Sequence, residues 1–400
     1  MRNFSDIKID KASFGIDPTP KGAKRYLRGT IADMLNTFDR SVNRWSLTRM
    51  ETLTLSGIIG RTRSDQNLLG SNLQLRLKLG SRLIDLLHTM ETEMPNRRFY
   101  LVTLLSDRWL SFDRYAHIWL GGMKDAMRQV LRLGNFTGWF GLIELQTLDE
   151  SVQALGRILL PHGHFIGWSD DPDFDPNRAA ARMAGSKRLE SRTSAATADV
   201  RADPLTSVCN IAAYLMKAPA SAKYRVPSLR SHSGFALADC ALPPVSAVRQ
   251  MEILSHVTFD ELMLGGGDGG YIRSELVRLI HETPPKNSEI DTGRAARFWT
   301  RCRKRTRRGA YEPVHVDRTK AQLMPHPPIS LACAGVPSSY WVVQWLTASG
   351  RFTDDQISAQ IERILTEALS SDETAILSSN AKALGARQAA AKNNRSPRDS

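Results

Sequence analysis

Apolar and polar residues alternate along this chain with two periods, and the period sorts the chain into elements. In Leu73-Gln74-Leu75-Arg76-Leu77-Lys78-Leu79 the alternation is strict, which predicts a half-buried strand. After Gly80, residues Leu83, Leu86, Leu87 and Met90 fall on one helical face. The run RRFYLVTLLSD (97–107) is β-branched and aromatic, hence a strand. Residues 111–133 carry apolar side chains at helical spacing behind Ser111, a candidate cap, and Gly134-Asn135 ends that helix. FTGWFGLIELQTL (136–148) and GRILLPHGHFIGW (156–168) predict a second and a third strand. Residues 169–203 read as a loop or irregular helix. Residues 203–219 read as a helix with Asp203 in a cap-like position, Pro204 in the first turn and Pro219 just past the end. KYRVPSL (223–229) is a candidate further strand.

The order β-α-β-β-α predicts an α+β chain: a ferredoxin-like, split βαβ antiparallel sheet with helices on one face. The second and third strands form a hairpin, and 73–79 supplies an edge strand. Residues 1–30 read as a flexible basic arm, with Lys21, Lys24, Arg25 and Arg28. Residues 31–95 read as a mostly helical region, 96–230 as the central domain, 231–375 as a basic accessory region and 376–400 as a disordered tail. LGGGDGGY (264–271) lacks the lysine and hydroxyl of a phosphate loop and reads as a turn.

Composition narrows the partners. Fifty-four Lys and Arg against 41 Asp and Glu leave a formal charge of +13, which favours polyanions, nucleic acid first. Four widely spaced cysteines exclude a zinc ribbon and a dense disulfide framework. No apolar run is long enough to span a bilayer, and the start, MRNFSDIKIDKASFG, has no apolar secretory core, so the expectation is a cytoplasmic protein without a membrane partner.

The candidate chemistry lies on the second and third strands. His162 and His164 are two apart and share one face of a strand, and so do Glu144 and Gln146. If the faces coincide, Glu144, or Gln146 in its place, completes a site with two nitrogens and one or two oxygens, suited to Mn²⁺ or Mg²⁺ and open to zinc. The same spacing also fits two half-exposed strand histidines and an ordinary ion pair. Tyr214 and Lys217 are at i and i+3 on the predicted helix, so an ammonium can stand near a phenol oxygen. The plainer reading is a core tyrosine and a solvated lysine. Thr103 is read as a β-former, with a direct role as the alternative. Arg301, Arg303, Lys304, Arg305, Arg307 and Arg308, preceded by Phe298 and Trp299, fit either a phosphate-tracking surface with aromatics for base stacking or a solvated helix face.

Three motifs in this order resemble the HUH endonuclease superfamily, the single-strand nickases of rolling-circle replication initiators, with relatives among relaxases and some transposases. They are Tyr100–Ser106 (YLVTLLS), Pro161–Phe165 (PHGHF) and Tyr214–Lys217 (YLMK), spanning 97–219. The chain departs from the pattern at Gly163, where the family prefers a bulky apolar residue and glycine would loosen the strand. It also departs at Leu105, where threonine is usual, and in the long segment between the histidines and the tyrosine. The resemblance implies that His162, His164 and Glu144 hold a divalent metal that polarises a phosphate of single-stranded DNA. Tyr214 then attacks to give a 5′-phosphotyrosine and a free 3′-hydroxyl, and Lys217 positions or neutralises charge. Tyr224 is a rival nucleophile without the i+3 lysine. A plasmid or mobile-element initiator of this kind would work with a host helicase and polymerase. Relaxase or transposase use of the same chemistry, a DNA-binding protein whose HUH site has decayed, and a hydrolase unrelated to DNA are the alternatives.

Overall fold

A three-strand antiparallel unit is the frame on which everything else is placed. In the computed structural model, which describes residues 17–61, 68–152, 156–189, 197–202, 207–227, 235–282, 288–305 and 311–319, strand β1 (Arg98–Leu104) pairs with β5 (Gly156–Ser169), and β5 pairs with β4 (Gly138–Val152). The chain divides into two units, Met1–Gly335 and Val336–Ser400, and every described residue lies in the first. The expected disordered tail at 376–400 lies outside the described residues.

The sheet continues past this frame on both sides. Its order is β6 (Ala198–Arg201), β1, β5, β4, β7 (Ser221–Pro227), β8 (Phe235–Ala241), with two short strands off this path, β2 (Ser111–Phe112) on β5 and β9 (Met263–Gly267) on β4. The β4–β7 pair is parallel, so the sheet is mixed rather than purely antiparallel. A small parallel ladder joins β3 (His117–Ile118) to β10 (His315–Val316).

Helices cover both faces, not one. Helix α4 (Leu120–Leu133) lies over the face that carries Gly163, where a Cβ would stand 3.0 Å from Met127 Cε. Arg182 of α5 (Pro176–Ala184) donates to the Leu133 carbonyl at the end of α4, at 3.0 Å. Side chains alternate along a strand, so His162 and His164 point to the opposite face. There α6 (Val208–Met216) approaches, with Tyr214 3.4 Å from His164. The second helix on the α4 face is thus α5, and the strand that follows it, β6, flanks β1. The tyrosine helix is additional to that pattern.

Local chemistry explains where the sequence pattern misled. Leu73–Leu79 begins a helix, α3 (Leu73–Glu93), capped by Asn72, whose side chain accepts from Leu75 N at 2.9 Å. Its buried face is Leu73, Arg76, Leu79, Gly80, Leu83, Ile84 and Leu87. A helical stripe was therefore present, hidden because Arg76 fills one of its positions. The expected basic arm is helical from Pro20. Helix α1 (Pro20–Val42) starts with proline behind Thr19, whose hydroxyl accepts from Gly22 N at 3.1 Å, and it buries Ala23, Leu27, Ile31, Met34 and Phe38. Helix α2 (Arg49–Ile58) opens on a Thr48–Glu51 capping box. Ser111 is no helix cap; its hydroxyl accepts from His117 N at 3.0 Å and closes the turn between β2 and β3. Ser207, not Asp203, caps α6, and 203–206 lie outside the described residues.

Beyond 240 the chain builds α7 (Pro244–Leu254), α8 (Phe259–Leu262), α9 (Gly269–His281) and α10 (Ser288–Arg305). LGGGDGGY is not a turn: it forms β9 against β4 and then starts α9. Gly269 packs against the Trp139 backbone with no room for a Cβ, and Gly267 has φ +54°, so two glycines permit the tight strand-to-helix passage. No described helix is long and apolar enough to cross a membrane.

Candidate metal centre

The site forms where β4, β5 and α6 meet. Register places Glu144 directly opposite His162 and Thr103 opposite His164. Glu144, His162 and His164 bring one ligand atom each to within 4.8 Å of one another, and they are the one such group among the described residues. The two imidazole Nε2 atoms are 2.9 Å apart; Glu144 Oε2 lies 3.5 Å from that of His164 and 3.9 Å from that of His162.

The outer ring nitrogens fix which atoms face inward. His162 Nδ1 is 3.0 Å from the Leu160 carbonyl oxygen, which can only accept, so Nδ1 carries the proton and Nε2 presents a lone pair. His164 Nδ1 is 3.0 Å from Thr103 Oγ1, a hydroxyl able to accept or donate. When Thr103 accepts, both Nε2 atoms are lone pairs aimed at one point beside a carboxylate. Such a set repels itself until a cation occupies that point, and this donor chemistry fits a divalent metal.

Electrostatics keeps the rings neutral and therefore able to ligate. Burial pulls the His162 pKa below its usual value, against the pull of Glu144. His164 is held well below the usual range by burial and then by His162, Lys217, Lys223 and Arg201. The latter two cations are ion-paired, Lys223 with Asp239 at 2.6 Å and Arg201 with Asp199.

Tyr214 and Lys217 both reach this centre. The Tyr214 hydroxyl is 3.4 Å from His164 Nε2, and its ring meets that of His164 edge-on at 5.0 Å between centroids. Lys217 Nζ sits 3.8 Å from the Tyr214 ring centroid and 3.7 Å from Glu144 Oε1. Burial pushes the phenol pKa up, while Lys217 opposes that rise. Burial also works against the Lys217 ammonium, but Glu144 and Tyr214 outweigh it and hold the amine charged above its usual value. Lys217 does not share the helix with Tyr214, however. It is the residue after the last turn, with ψ 147°.

Other expectations fare differently. Gln146 shares the face of Glu144 but is committed to β7, its Nε2 donating to the Ser221 carbonyl at 2.9 Å. Gly163 does not loosen its strand: the Phe165 ring, two residues on, lies where a Cβ at 163 would stand, and against Gly141 of β4 as well. Phe298 and Trp299 are buried and unavailable to bases. Trp299 donates to Ser255 Oγ at 2.8 Å and packs edge-on against Trp45. Arg301 is exposed on α10; the side chains of Arg303, Lys304 and Arg305, and the whole of Arg307 and Arg308, lie outside the described residues, as does the Tyr224 side chain. Sequence reasoning missed Arg76, whose only signal is a charged residue at a buried position of a leucine-rich helix. No family model, curated protein or solved structure matches this chain.

Proposed function

We propose that this protein nicks and rejoins single-stranded DNA with Tyr214 as the nucleophile, beside a divalent cation held by Glu144, His162 and His164, as a rolling-circle initiator of the HUH type. The observation that carries this reading is the Tyr214 hydroxyl 3.4 Å from a ring nitrogen of the His-Glu-His group. A bound cation would supply Lewis acidity to a phosphate oxygen. The protein's own groups do the rest. Tyr214 forms its Oη–P bond as the P–O3′ bond breaks, losing the phenol proton while the departing 3′-oxygen gains one. Lys217 offers positive charge beside the phenol as that proton leaves. Joining reverses the step, so it needs no ATP.

Two further features favour the reading. The order β6-β1-β5-β4, all antiparallel, with α4 and α5 on one face, is what a split βαβ unit would produce. Two nitrogens and one carboxylate oxygen would suit Mn²⁺ or Mg²⁺ as a Lewis acid. Single-stranded DNA, a host helicase and a host polymerase are the partners this function needs, in the cytoplasm.

The DNA-binding alternative draws on the sheet, the basic run and Gly163; the Phe165 ring fills the volume beside that glycine, so Gly163 by itself does not favour a decayed site. The experiment is incubation with Mn²⁺ and labelled single-stranded DNA tiled across the protein's own locus, read on denaturing gels. A covalent adduct absent from Tyr214→Phe and His162→Ala is the expected result; binding to every tile without an adduct under any metal would end the nickase reading.

A further inference from the structure

Because Lys217 lies beyond the end of α6, helical spacing does not place its ammonium. The chain there is instead held from the segment 17–93. Arg76 Nη1 donates to the Lys217 carbonyl at 3.0 Å, and the next amide, Ala218, donates to Thr30 Oγ1 at 3.2 Å. At the other end of α6, Ser207 Oγ donates to the Pro18 carbonyl at 2.7 Å. The helix carrying Tyr214 is thus tied at both ends by residues that precede the sheet.

Arg76 is itself built in. It is 7% exposed, and its guanidinium carbon stands 4.9 Å from the Phe259 ring centroid. One turn further along the same face of α3, Gly80 allows close approach: a Cβ there would be 2.9 Å from that of Met216. Filling this space needs only an apolar side chain. A desolvated guanidinium is costly; here its Nη1 is given to the backbone carbonyl of the residue whose side chain completes the site, and the Glu144 carboxylate favours its charge.

We infer that Arg76 is a positioning residue for the Tyr214–Lys217 pair. By fixing the Lys217 carbonyl it keeps the ammonium over the Tyr214 ring and beside Glu144, which makes the N-terminal helices part of the nicking machinery. The inference rests on the proposed role of Tyr214, but its geometry can be read without catalysis.

The test uses the full chain with ¹³Cε-labelled lysine. The Lys217 Nζ stands 3.8 Å from the Tyr214 ring centroid, so the ε-methylene bonded to it should resonate upfield of the other lysines, a signal assigned by its loss in Lys217→Arg. In Arg76→Met that signal should move to the common lysine position. Mn²⁺ affinity should stay within threefold, the single-turnover adduct rate at saturating DNA should fall at least tenfold, and Arg76→Lys should recover part of both signal and rate. An unmoved signal in folded Arg76→Met overturns the inference, and so do rate and Mn²⁺ affinity falling by the same factor. If Arg76→Met does not fold, Thr30→Val decides: a Lys217 signal unmoved there and in Arg76→Lys overturns it. A wild-type protein that forms no adduct defeats the nickase reading, while the lysine signal still decides whether Arg76 places Lys217.

Discussion

The Thr103 hydroxyl lies 3.0 Å from His164 Nδ1, on the side of the ring turned away from His162. It is the one described contact on that nitrogen, and it decides whether His164 presents a lone pair or a proton to the centre. Thr103→Val keeps the shape of the strand and removes the hydroxyl. It should weaken Mn²⁺ binding by roughly tenfold, within the usual range for the partner of a ligating histidine. Calorimetric titration checks this, and an unchanged affinity would mean that the ring is oriented by packing alone.

Tyr214 should be separable from the metal. Tyr214→Phe removes the proposed nucleophile but none of the three candidate ligands, so adducts should vanish while Mn²⁺ affinity changes by less than about threefold. Because burial raises the phenol pKa, Tyr214 is protonated at neutral pH and must lose its proton on attack. The wild-type single-turnover rate should therefore climb with pH above 7. A flat profile from pH 6.5 to 9 would show that proton loss is not part of the limiting step.

Acid should destabilise the metal-free protein through the same pair of histidines. Both have folded-state pKa values below the unfolded value of 6.5. As pH falls through 6.5 the unfolded chain takes up protons that the folded chain refuses, so stability present above 6.5 is lost below it. Urea midpoints at pH 7.5 and 5.5 should differ in that direction, with a smaller difference in His162→Phe/His164→Phe. Saturating Mn²⁺ at pH 7.5 should raise the wild-type midpoint by mass action and leave that of the double variant unmoved.

Placing a bulky residue at 163 should harm the fold. Gly163→Leu would meet the Phe165 ring and Met127 in a space already filled, and overpacking of this kind costs about 1–3 kcal/mol. Phe165→Ala alone should also destabilise, because it empties a fully buried site, and Gly163→Leu/Phe165→Ala should lose less than the sum of the two single losses in denaturant titrations. Strict additivity would show that the two positions do not share the space.

The frame and the core of the site were legible because their signals are local. Apolar and aromatic runs mark β1, β4 and β5, and the spacing of two puts His162 and His164 on one face, which the hairpin register sets against Glu144. What escaped depends on contacts between distant segments. LQLRLKL alternates like a strand, yet burying Arg76 against Lys217 and Phe259 makes it a helix. β6 has four residues and exists by pairing with β1. Phe298 and Trp299 lie beside a basic run, but only the tertiary fold shows them turned into the core. Helical spacing predicts Lys217 beside Tyr214, and the two do meet, but the chain leaves the helix before the lysine, so another constraint brings them together.

His162 takes its orientation from a carbonyl of its own strand, two residues back, whereas His164 takes its own from a side chain on another strand. A backbone carbonyl survives any substitution at position 160, but a hydroxyl at 103 is lost in a single codon change. The two candidate ligands are therefore unequally exposed to sequence drift. In a lineage where the proposed metal centre decays, loss of Thr103 would leave an intact-looking pair whose second ring is no longer held.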